Sequence, residues 1–166
     1  MKQALAVSMI AFASSAMAFE SLKTETDMLF SEVKCPEVKN VGADNIYGRM
    51  NICTAGHGET LKLYVNEVYA DTGEPEGQVR SIKLMWRDWQ EGNGQGLSAH
   101  AGRPNAERWV GVIAGKYAEE QADNVKDQFL SDGSETFTNA NYQLEVTFEP
   151  DYRPGMDLHL LEITTR

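Results

Sequence analysis

The chain has 166 residues, 15 Lys+Arg against 25 Asp+Glu, and a formal net charge of -10. The length suits one domain with a real hydrophobic core. The acidic balance excludes nucleic acid and disfavours an anionic membrane surface, because both partners need a surplus of cations on the protein. A basic protein or a neutral ligand fits better, although solubility alone would account for the charge.

Residues 1–18 read MKQALAVSMIAFASSAMA. Lys2 supplies a cation, Ala4 to Ala13 an apolar run, and Ala16-Met17-Ala18 a small-x-small cleavage pattern. This is the pattern of a secretory signal peptide in a bacterial style, which implies a periplasmic or secreted chain. The apolar run is shorter than the roughly 20 residues a bilayer requires. The residue directly after Ala18 is Phe19 and not Cys, which argues against a lipid anchor, and no later stretch reads as a membrane span. Residues 19–166 are then one globular domain that is not integral to a membrane. In an oxidising compartment the two cysteines, Cys35 and Cys53, form one disulfide. Their spacing is neither a C-x-x-C redox pair nor half of a zinc tetrahedron.

In chain order, Ser21 caps a helix. Leu22, Thr26, Leu29, Phe30 and Val33 fall on one face of it, and Cys35-Pro36 ends it. Residues 45–54 read as a first strand and 60–69 as a second, with the alternation breaking at Val68, where a bulge fits. Residues 79–89 are a third strand, with Ile82, Leu84 and Trp86 on one face and Lys83, Met85, Arg87 and Trp89 on the other. A glycine-rich loop, 90–104, leads into one long helix, 105–130, with Asn105 as its cap. Gly111 and Gly115 inside it imply close approach to the sheet. Strands 140–149 and 156–164 close the chain around a turn at Pro150 to Gly155. The expected fold is α+β, an antiparallel sheet of about five strands in the order αβββαββ. One long helix lies between strands 3 and 4, and the helices cover one face. In order of elements alone it resembles secretion-chaperone-like domains.

Chemistry-bearing motifs are absent. Gly92-Asn93-Gly94-Gln95-Gly96 is neither a dinucleotide fingerprint nor a phosphate loop. The acidic loop 71–77, DTGEPEG, lacks the calcium pattern. His57, His100 and His159 show no metal spacing, so no metal or cofactor is expected. No nucleophile elbow occurs, and neither Ser98 beside His100 nor the pair Glu119-Glu120 singles out a catalytic residue. One constellation stands out: Arg87 and Trp89 on the third strand, with His100 and Arg103 in the loop after it. Trp and Arg beside a loop suit recognition of a protein. The first expectation is therefore a non-enzymatic protein-binding module, an inhibitor, adaptor or chaperone-like subunit. The alternatives are a small-ligand carrier with a pocket between sheet and helix, and a small hydrolase using His57 or His100 with an acid.

Overall fold

The computed structural model describes residues 19–42, 48–56, 58–67, 77–91 and 98–166. The chain runs α1 (Leu22–Glu32), β1 (Glu37–Val41), β2 (Met50–Ala55), β3 (Leu61–Glu67), β4 (Val79–Trp89), α2 (Arg103–Tyr117), a short 3-10 turn (Glu119–Gln121), α3 (Ala122–Phe129), β5 (Glu135–Thr138), β6 (Tyr142–Arg153) and β7 (Met156–Thr165). The strands form one antiparallel sheet in the order β1-β2-β3-β4-β7-β6-β5.

This corrects the expected architecture. The sheet has seven strands rather than about five, and two short helices replace the single long one. The added strands, β1 and β5, lie at the two edges of the sheet, where side chains stay largely exposed and apolar alternation is not required. Of the expected strand 45–54, residues 50–54 lie in β2, and residues 45–47 lie outside the described residues. The register shifts between Asn66 and Glu67, and Val68, where a bulge was expected, lies outside the described residues. Strand β6 continues through Pro150 to Arg153, so the turn tightens to Pro154-Gly155. Gly155 supplies the positive φ of 72° that this turn needs.

The helical segment breaks at Ala118, where the backbone leaves the helical region. The Tyr117 carbonyl there accepts a hydrogen bond from Asn139 Nδ2 at 2.7 Å, which takes up an acceptor at the helix end. The 3-10 turn returns the chain so that Val125 and Phe129 face the same core as Ile113 and Tyr117. Helix α2 starts two residues before the expected cap. Gly102, not Asn105, precedes it, and Pro104 occupies the first turn. A side chain at Gly102 would come within 2.9 Å of the Trp86 indole nitrogen, so this entry point requires glycine. Gly111 and Gly115 have no such role. A side chain at Gly115 would meet nothing within 4 Å, so these glycines do not bring the helix onto the sheet.

All three helices pack on one face of the sheet, α1 over β3, α2 over β4, and α3 over β6 and β7. Ser21 caps α1 by accepting the Thr24 N–H at 3.2 Å. The Cys35–Cys53 disulfide forms and ties the end of α1 to β2. Between helices and sheet lie Leu29, Leu63, Leu84, Trp86, Trp109, Ile113, Phe129 and Leu161, all without solvent exposure. No helix among the described residues is long and apolar enough to cross a membrane.

Candidate functional site

Strand β4 organises the site through its period of two. Ile82, Leu84 and Trp86 face the helices and are buried. Lys83, Met85, Arg87 and Trp89 face the other way and are half-buried. Among the described residues the helices pack only on the first face, a choice that the alternation alone left open.

The four residues expected to form one surface divide across the sheet. Arg87 and Trp89 lie on the helix-free face. His100 and Arg103 lie on the helix side, at the end of β4. The His100 N–H donates to the Trp89 carbonyl at 2.9 Å, which returns the loop to the strand. His100 Nδ1 then meets Asp88, at 2.7 Å from Oδ2 and 2.9 Å from Oδ1. The Arg103 guanidinium lies 5.9 Å from the ring centre of Trp86. Asp88 points to the helix side because it is one step out of phase with Arg87 and Trp89.

On the helix-free face, cross-strand register assembles residues from four strands. Tyr64 pairs with Lys83, Met85 with Leu160, Lys83 with Glu162, and Met50 with Asn66. Met50, Tyr64, Met85 and Leu160 line a groove of about 410 Å³, with Lys83 and Glu162 at its side. Lys83 and Glu162 form an ion pair at 3.1 Å. Lys39 and Lys62 both pair with Glu59, whose carboxyl they hold down at about 2. Among the described residues Arg87 has no such carboxylate. Its Nε is buried without a hydrogen-bond partner among the described residues. Burial pushes the Tyr64 phenol up. The Arg87 charge opposes this, and Glu59 and Tyr152 reinforce it.

The helix side holds a second polar group. Burial raises the Asp88 carboxyl, opposed chiefly by the His100 hydrogen bond and further by the nearby His100, His159 and Arg103 side chains. His159 is buried, stacked on Trp86 with ring centres 4.6 Å apart, and bonded through Nδ1 to the Phe129 carbonyl at 2.9 Å. Asp88 and His100 form the carboxylate–imidazole half of a nucleophilic triad. No hydroxyl or thiol among the described residues is bonded to His100, and both cysteines are oxidised. What the pair does in this arrangement is fasten the loop end to β4.

Among the described residues, no group of three or more His, Cys, Asp and Glu is placed to hold a metal ion. His57, the glycines from Gly92 to Gly96 and the acidic residues of loop 71–76 lie outside the described residues. Sequence reasoning missed Met50, Leu160 and Asp88. The register between β4 and β7 unites Met85 with Leu160, and no local pattern encodes that register. No protein-family model, curated protein or solved structure matches the chain.

Proposed function

We propose that this chain is an exported protein-binding module and that the helix-free face of its sheet is the contact surface. The observation that carries the reading is Arg87. It is a half-buried arginine without a carboxylate partner among the described residues, opposite Leu158 and on the same strand face as Met85 and Trp89, in a protein of net negative charge. Trp, Tyr and Arg carry most of the energy at protein interfaces, and Met adapts to the shape of a partner. Apolar side chains on a sheet face that no described helix covers gain from being buried. The partner chemistry that fits is a carboxylate flanked by apolar side chains, received by Arg87. A basic surface around that carboxylate would be steered in by the net charge of -10. Arg87 and Trp89 remain in this surface. His100 and Arg103, on the opposite side of the sheet, act instead on the loop.

The test is a photo-reactive phenylalanine analogue at Met85, compared with the same residue at Asp123 on the exposed side of α3. Irradiation in the native cell gives a defined protein adduct from position 85 and none from position 123. Adding Arg87→Ala to the position-85 chain removes the adduct while the melting temperature stays within a few degrees. Equal labelling from both positions, or labelling from neither, refutes the reading.

A further inference from the structure

Residues 19–22 are tied down at every position. The Phe19 ring packs against Tyr117 and Tyr142, with centres 5.7 and 5.3 Å away. The Glu20 N–H donates to Glu25 Oε1 at 2.9 Å. Ser21 bridges to Gln78, and the Leu22 N–H donates to the Gly77 carbonyl at 2.7 Å.

Glu25 is 2% exposed. Its Oε2 accepts the Tyr117 hydroxyl at 2.6 Å, and Lys116 Nζ stands 3.8 Å away. Lys116 Nζ itself lies 2.9 Å from Met28 Sδ. The carboxylate therefore has two neutral donors and one cation beyond direct hydrogen-bond range. A buried carboxylate is stable only when charge is supplied to it. The nitrogen of Phe19 is one residue from the nitrogen already bonded to Oε1, a step of less than about 4 Å.

We propose that, once the leader read from the sequence is removed at Ala18–Phe19, the ammonium freed on Phe19 is the cation bound by Glu25. A leader-processing endopeptidase that reads small-x-small supplies the cleavage. One water is consumed, its hydroxyl going to the Ala18 carbonyl carbon and its proton to the Phe19 nitrogen, while the C–N bond breaks. Before cleavage that nitrogen is a neutral amide. Afterwards it is an amine that takes up a proton at neutral pH. Maturation thereby completes the N-terminal anchor. The inference rests on the export part of the proposed function and not on the sheet-face contact.

The groups facing this point are Glu20, Glu25 and Glu32 from the N-terminal segment, Lys116 and Tyr117 from α2, and Tyr142 from β6. Burial raises both phenols, and the Glu25 charge raises them further. All six are common to the two chains compared in the test. One chain begins at Phe19, and the other carries an added methionine before it. The Phe19 chain melts higher at neutral pH by about 2–4 °C. An amine paired with a carboxylate has a raised native pKa. Its contribution is present below the unfolded value of about 8 and is lost as pH rises through the native value. The two melting curves therefore converge in alkali. Glu25→Gln makes them coincide at neutral pH as well. The main comparison needs no substitution, so it stands even if that variant folds poorly.

Equal melting temperatures of the two chains at neutral pH overturn the ammonium site. The intact mass of the exported protein decides the cleavage: a chain starting at Phe19 supports it, and a start elsewhere overturns this inference alone. A chain that keeps residues 1–18 overturns export together with it.

Discussion

His159 lies inside the protein on the strength of one hydrogen bond and three aromatic neighbours, Trp86, Phe129 and Phe148. Nδ1 faces the Phe129 carbonyl, so the neutral ring carries its proton there. Burial lowers its pKa below the ordinary value of 6.5, against the opposing effects of the Asp88 charge and the Phe129 bond. The unfolded chain therefore takes up this proton first as pH falls. Native stability declines from about pH 6.5 downward, until the lowered native pKa is passed. Asp88 acts with the opposite sign. Its raised native pKa stabilises the fold in acid, and that contribution is lost as pH rises through the native value. The two are separable by substitution. Compared by urea unfolding at about pH 7.5 and about pH 5, the advantage of the native chain over His159→Gln shrinks on acidification. A difference that is the same at both pH values would show that His159 does not titrate in this range.

At the scale of elements, the disulfide fixes α1 to the sheet near its β1 edge. Cys53 is fully buried opposite Leu63, and Cys35 follows the last turn of α1. Replacing both cysteines with Ala should cost about 3 kcal/mol, chiefly by freeing the unfolded chain. The denaturant midpoint measures this, and a loss below about 0.5 kcal/mol would mean that packing alone holds α1 in place. Elements of this kind were legible wherever one face is buried. Helix α1, β3 and β4 show the right period and nearly the right ends, because Leu29, Leu63 and Leu84 must all point inward. Strands β1 and β5 carry no such signal: EVKNV is exposed along almost its whole length, and only Phe137 of ETFT is buried. The break between α2 and α3 was also hidden. Tyr117, Val125 and Phe129 keep a helical rhythm across it, and the bond that marks it comes from Asn139 in the loop before β6. The site divides in the same way. Alternation placed Arg87 and Trp89 on one face. Only the path of the loop decides that His100 returns to Asp88 on the other.

Over the whole molecule, β4 and β7 are the seam. They are far apart in sequence but adjacent at the centre of the sheet, paired from Ser81 with Thr164 to Trp89 with Met156. A single row of directly opposed residues, Cys53, Leu63, Leu84, Leu161 and Val146, crosses from β2 to β6. Each is at most 1% exposed. The strands before the helices and the strands after them therefore share one core, and neither group buries its apolar face without the other. Closing this seam means ordering the helical segment and β6 before β4 finds its partner, which makes the fold dominated by non-local contacts and slow to form. Leu161→Ala, at the seam, should lower the unfolding free energy by about 2–5 kcal/mol. The loss should fall on the whole chain at once. Far-ultraviolet circular dichroism follows all the elements, whereas tryptophan fluorescence follows Trp86 and Trp89 on β4 and Trp109 on α2. In both the native chain and the variant the two signals should change along one curve. If the variant instead loses ellipticity before fluorescence, β5 to β7 come away while β1 to β4 hold, and the row across the sheet does not couple them.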